Sequence, residues 1–138
     1  MKLQILREGQ DKIENYHHIT VTTNNVDLSE IVNNECDQIL ATDILDDFTI
    51  DAIPELISAI STKLRMNGEL SIGGTDIRLF CKGVLNGIID LNQASSVVSS
   101  ISSASSLVTI EEIVSGLGLK VVDTHMTGIH FEIKAVRA

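Results

Sequence analysis

Residues 1–138 read as one α/β domain, a small three-layer sandwich with a mostly parallel sheet that ends in a C-terminal antiparallel hairpin. Three observations predict this fold. Residues 36–74 run strand, acidic loop, amphipathic helix, Asn-Gly turn and strand, and a strand–helix–strand unit of that length makes a parallel pair wound right-handed. Hydrophobic residues make up 43% of the chain but aromatic ones only 3%, so the core must be Ile, Leu and Val, as in a covered parallel sheet. Residues 129–136, IHFEIKAV, alternate apolar and polar after a Met-Thr-Gly turn, the pattern of a strand returning antiparallel.

Taken in order, residues 1–6 form a first short strand. Residues 7–15 are polar and hold one glycine, Gly9. Residues 16–23, YHHITVTT, alternate and are rich in β-branched residues, so they form a second strand, closed by Asn24 and Asn25. Residues 26–32 are a loop or a single helical turn. Residues 37–42 are a short apolar run bounded by polar residues, as a buried strand would be. Asp51 caps the next helix, and Pro54 stands in its first turn, where a missing N–H matters least. Ile53, Leu56, Ile57, Ile60 and Leu64 recur at spacings of three and four and give that helix one apolar face. Asn67 and Gly68 stop it, since both tolerate a left-handed backbone, and residues 69–72 are the next strand.

Asp76 caps a helix running to about residue 89, with Ile77, Phe80, Cys81, Val84, Leu85 and Ile88 as its apolar stripe. Gly83 and Gly87, four apart, admit close approach by another element. In residues 92–108, Ala94, Val97, Val98, Ile101, Ala104, Leu107 and Val108 keep helical phase while eight serines fill the other face. A serine linker would not keep its apolar residues in phase. Serine is a mediocre helix former, so this helix needs tertiary support. Its uncharged small-residue face suits a homo-oligomer or another protein partner. Thr109 and Glu112 form a capping box for a helix that passes Val114 and stops at Gly116 or Gly118. Residues 119–124 precede the final hairpin as a strand.

The segments DQILATDILDDF (residues 37–48) and KLRMNGELSIGGTDIR (residues 63–78) resemble the second half of a class I, Rossmann-like S-adenosylmethionine-dependent methyltransferase. The likeness is clearest over residues 36–80 and extends to Ala135, Val136 and Arg137. It implies S-adenosylmethionine as cofactor. In the family the residue just after the fourth strand contacts methyl donor or substrate, which points to Thr42 and Asp43. The family's glycine-rich loop is matched by Arg7-Glu8-Gly9-Gln10, a degenerate form in which Gly9 is the surviving glycine. The acidic residue that binds ribose falls near Thr23, Asn24 and Asn25, where no carboxylate stands. Asp27 takes the place of a carboxylate that contacts the adenine amino group. There is little room for the usual first helix between Leu6 and Tyr16. Two functions follow from the resemblance. One is a methyltransferase of minimal size with an unidentified acceptor. The other is a catalytically inactive module of the same fold, without cofactor, used for protein interaction or assembly.

Composition narrows the partners. A net charge of −9 argues against nucleic acid and anionic membranes. Cys36 and Cys81 are too few for a disulfide framework or a zinc site, and are expected as reduced thiols of a cytoplasmic protein. No signal-peptide pattern or membrane-spanning apolar run is evident. His17 and His18 are adjacent in a strand and point to opposite faces, whereas His125 and His130 flank a turn. No metal site or catalytic triad is legible. Asp43, Asp46 and Asp47 follow the central strand, where they read as a solvated face at a helix N-terminus or as part of a ligand crevice. Gly73 and Gly74 lack the Lys-Ser/Thr of a phosphate loop.

Overall fold

A computed structural model describes residues 1–138. The elements are β1 (Lys2–Leu6), β2 (His17–Thr20), β3 (Cys36–Ala41), a 3-10 turn (Ile44–Asp47), α1 (Ile53–Lys63), β4 (Leu64–Thr75), α2 (Ile77–Leu85), α3 (Leu91–Ser100), α4 (Leu107–Gly116), β5 (Leu119–Thr127) and β6 (His130–Arg137). They build one sheet of order β2-β1-β3-β4-β6-β5. β1 to β4 pair in parallel, and β6 runs antiparallel to both β4 and β5.

Register decides which residues make the core. Leu3 lies opposite Ile39, Ile39 opposite Leu70 and Leu70 opposite Ala135; Ala41, Ile72 and Ile133 make a second row. Both rows are fully buried in one cluster with Ile53, Ile57 and Ile60 of α1 and Ile110 and Val114 of α4. Alternation sends Gln4, Gln38, Glu69, Ser71, Glu132 and Lys134 to the opposite face. There the loop of residues 7–16 lies against β1 and β3. Ile13 N donates to Gln4 Oε1 (2.8 Å), Gln4 Nε2 to the Asp11 carbonyl (3.0 Å) and the Tyr16 hydroxyl to Gln38 Oε1 (2.8 Å).

Several boundaries differ from the sequence expectation. Ala52, not Asp51, is the N-cap of α1, and no side chain caps it. The helix ends at Lys63, before Asn67 and Gly68. The loop before β3 captures its end: Asn34 N donates to the Thr62 carbonyl (3.0 Å), and Lys63 Nζ donates to the Ile31 carbonyl (2.8 Å). Asn67, at φ 65°, instead sits inside β4, where the pairing with β3 slips between Cys36 and Gln38.

The serine-rich stretch is two helices, not one. α3 stops at Ser100 because the following residues bond elsewhere: Ser102 N donates to the Asp46 carbonyl (2.7 Å) and Ile77 N to the Ser105 carbonyl (2.8 Å). α4 therefore starts earlier than the Thr109 box, with Ser106 accepting from Thr109 N (3.3 Å). The capping box belongs to Asp90 and Gln93 at the head of α3. α3 buries no side chain, and its serines turn back on the helix, Ser95 onto the Leu91 carbonyl (2.9 Å) and Ser99 onto Ser95 (2.8 Å). Only Gly83 of the glycine pair is approached closely, and by its neighbour Ile89. In β5 the ladder slips once, between Val121 and Asp123.

Gly73 lies where strands crowd. A Cβ there would stand 2.0 Å from the Phe131 carbonyl oxygen and 2.6 Å from that of Thr42. Gly73→Ala should cost about 3 kcal/mol or more. Gly116→Ala, in α4 with nothing within 4 Å of the added carbon, should stabilise by up to about 1 kcal/mol. Urea denaturation of the two variants checks both signs.

Candidate functional site

From β1 the chain steps to β2 on one side, and β3 lies on the other. Such a switch in strand order opens a crevice at the carboxyl ends of the strands, where open α/β sheets bind ligands. A cleft of about 810 Å³ lies there, lined by the loop after β1, the end of β2, Asp43 and Asp47. Beside it is a cavity of about 270 Å³ lined by Thr42 and by His125, Thr127, His130 and Glu132 of the hairpin. Gln10 and Asp43 line both spaces.

Arg7 crosses the floor of the cleft. Its Nε and Nη2 donate to the two oxygens of Asp47 (3.0 and 3.1 Å). Nη1 stands 3.8 Å from Asp46 and 3.9 Å from Asp43. Burial works against the guanidinium charge, but the Asp47 bond and the three carboxylates outweigh it and hold the pKa raised.

Asp46 is 3% exposed, which departs from the solvated face expected of this acidic stretch. The cause is Thr75 at the end of β4, whose N–H (2.8 Å) and hydroxyl (2.7 Å) donate to its two oxygens. Asp43 remains partly exposed, and its pKa is raised, first by burial and then by Asp46, against the pull of His130 and Arg7. His130 Nδ1 lies 3.7 Å from Asp43 Oδ1. Ligand atoms of Asp43, Asp46 and His130 fall within 4.8 Å of one another. A cation is already supplied there by Arg7, and Thr75 occupies both Asp46 oxygens.

The residues singled out from the sequence fall in different places. Gly9 lines the cleft in a turn at φ 84°, with open space on its Cβ side. Asp43 lines both spaces, and Thr42 lines the smaller one, where its hydroxyl accepts from Gln10 Nε2 (3.4 Å). Asp27 lines neither; it is exposed, and its pKa is lowered by hydrogen bonding to Ser29. Asn24, near the ribose-acid position, accepts from Thr49 N (2.9 Å) and so pins the loop before α1. Gln10 and His130 could have been found only by pairing loops distant in sequence. Asp76 does more than its expected capping of α2: one oxygen accepts from Arg78 N (2.9 Å) and Leu79 N (3.1 Å), the other from Leu107 N (2.9 Å), which ties the start of α4 to that of α2.

Asp46→Ala should leave the Thr75 N–H without its partner and cost about 2–3 kcal/mol, read by urea denaturation. For Asp43 the sign is opposite. A carboxyl whose folded pKa is raised favours the protonated form, so its contribution is present below the ordinary value of 3.8 and is lost as pH climbs past the folded value. Asp43→Asn should therefore raise the melting temperature at pH 7, and the gain should vanish below pH 3.8.

No protein-family model and no curated protein matches the chain. Solved structures do. One is an O-methyltransferase family 2 protein from Planctomyces limnophilus in complex with apigenin, at 22% identity, covering 74% of this chain and 30% of that one, with TM-score 0.57. Another is a SAM-dependent methyltransferase from Archaeoglobus fulgidus, at 11% identity, 88% and 68% coverage, and TM-score 0.64. A third is the magnesium protoporphyrin IX methyltransferase of Synechocystis with bound SAH, at 16% identity, 89% and 52% coverage, and TM-score 0.60. The chain thus spans less than a third of the length of the first and about half that of the third. At these identities the likeness is one of architecture: the chain has the fold of the class I S-adenosylmethionine-dependent methyltransferases.

Proposed function

We propose that the cleft between the ends of β1 and β3 binds S-adenosylmethionine and that the chain is a methyltransferase of minimal size. The observation that carries this reading is the charge of the cleft at the switch point. Three carboxylates, Glu8, Asp43 and Asp47, face one guanidinium, Arg7, in a space of about 810 Å³. That volume suits a nucleoside-sized ligand, and the excess of acid suits a cation. The pKa of Asp43 is raised by burial and then by Asp46, and a sulfonium beside it would favour its ionised form. The Gly9 turn and the ends of β2 would hold the nucleoside portion.

When bound, the cofactor supplies an activated methyl group, so the chemistry is its own. What this chain's residues do is hold donor and acceptor in line and keep water out. The length of the neighbours leaves substrate and partners open to the same proposal. Cys36 is buried and its thiol pKa is raised by burial, while Cys81 is exposed and free, which suits a reducing compartment such as the cytoplasm. No helix is long and apolar enough to cross a membrane.

One set of observations favours the second reading, a non-catalytic assembly module. Arg7 is already engaged by its acids, and the apolar side chains of Leu85 (86% exposed), Ile88 and Leu91 (78% exposed) stand in solvent between the end of α2 and the start of α3.

Calorimetric titration decides between them. S-adenosylmethionine should bind with micromolar affinity, and Asp43→Ala should weaken it about tenfold, the effect of losing about 1.4 kcal/mol. No heat up to millimolar S-adenosylmethionine or S-adenosylhomocysteine overturns the enzyme reading. A dimer in sedimentation equilibrium that Leu91→Asp dissociates would then support the module.

A further inference from the structure

The smaller cavity has features that the methyl-donor cleft does not use. Gln10 is fixed in the wall between the two spaces: its Oε1 accepts from Arg7 N (3.1 Å), and its Nε2 donates to Thr42 (3.4 Å). The hairpin makes the opposite wall. His125 pairs with Glu132 and Thr127 with His130 across the β5–β6 ladder, so the four side chains share one face. Gly73 of β4 is in register with Glu132 and contributes no side chain between Thr42 and the hairpin. The cavity is thus lined by polar side chains, with Phe131 its single hydrophobic residue.

The two histidines are placed differently. His125 Nε2 bonds the Thr127 hydroxyl (2.8 Å). The Nδ1 side of His130 faces Asp43 at 3.7 Å, and its side chain is 54% exposed, which leaves Nε2 for a ligand. Asp43 also belongs to the donor cleft, so the same carboxylate stands at the junction of both spaces.

On the reading of the larger cleft as the methyl-donor site, we propose that this cavity receives the methyl acceptor, a small neutral or cationic phenol or amine, and that His130 Nε2 accepts its proton. The volume of about 270 Å³ falls just below the ~300 Å³ at which drug-sized pockets begin, so the acceptor is small. The carboxylates of Asp43 and Glu132 in its wall disfavour an acidic acceptor. For a phenol, the O–H bond breaks toward His130 and the freed oxygen pair forms the bond to the methyl carbon; for an amine, the nitrogen lone pair forms that bond and the N–H proton then passes to His130. In both, the pair of the broken carbon–sulfur bond stays on sulfur as a neutral thioether. Asp43 is the positioning residue: its carboxylate stands 3.7 Å from Nδ1 and attracts the imidazolium that forms. The charged groups around His130 are Asp43 and Asp46, with Arg7 behind them, and Glu132 and His125 on its own hairpin. Only the neutral imidazole can accept a proton in this role.

The probes are tyramine, a cationic phenol, and 4-hydroxyphenylacetate, its anionic counterpart of similar size. In the protein without cofactor, tyramine should shift the imidazole resonances of His125 and His130 saturably, and 4-hydroxyphenylacetate should bind at least tenfold more weakly. With methyl-labelled S-adenosylmethionine, His130→Gln should lower kcat for tyramine methylation about a hundredfold while leaving the calorimetric affinity for S-adenosylmethionine unchanged. Imidazole in solution should restore part of the rate of His130→Ala, and Asp43→Asn should displace the pH profile. The proposal is overturned if tyramine leaves both histidines unshifted. It is equally overturned if His130→Gln keeps the wild-type kcat and pH profile. A wild-type protein that shifts with tyramine but binds no S-adenosylmethionine would sink the reading of the larger cleft and the proton-transfer role with it, leaving only a phenol-binding cavity.

Discussion

One buried carboxylate holds the working end of this sheet together. The side chain of Asp46 takes both donors of Thr75, and its backbone carbonyl takes the N–H of Ser102. The ends of β3 and β4 and the chain between α3 and α4 are therefore joined at one residue. Removing such an acceptor exposes the full desolvation cost of the donors it serves. Arg7 then gathers Asp43, Asp46 and Asp47 around a single guanidinium, which keeps three acids close enough to line one crevice. A low-dielectric network of this kind is worth keeping only if every member is satisfied, and here the least satisfied member is Asp43, the one that faces both cavities.

The sheet has two unlike faces, and that asymmetry sets where a ligand can go. On one face Ile, Leu and Ala rows meet α1 and α4 in a dry cluster. On the other, Gln4 bonds to Asp11 and Ile13 of the loop after β1, and Gln38 accepts from Tyr16 at that loop's end. Parallel sheets are usually covered on both faces by helices. Here the ten residues between β1 and β2 lie as a loop against Gln4 and Gln38, and because a loop must place its polar groups somewhere, it brings Arg7, Gly9 and Gln10 to the cleft edge.

Much of this was legible in the sequence. The spacing of Ile53, Leu56, Ile57 and Ile60, the alternation of β6 and the crossover between β3 and β4 reflect periodicity, a local signal that packing then reinforces. What could not be read depends on partners distant in the chain. The helix ends at Lys63 rather than Asn67 because residues 31–34 bond its last turn. The serine stretch breaks at Ser100 because Asp46 and Ile77 draw the backbone away. At the site, Thr42 and Asp43 followed from their place after the central strand, but the burial of Asp46 required knowing that Thr75 would lie against it. Asp27, chosen by alignment of position alone, is held by its own neighbour Ser29 and lines neither cavity.

The slip between Val121 and Asp123 lies on the strand that ends the sheet. An open strand edge offers free N–H and C=O groups to any passing chain. A kinked edge flanked by Lys120 and Asp123 cannot accept a straight, in-register guest. At the opposite margin β2 is only four residues long. Both borders therefore resist the addition of a further strand.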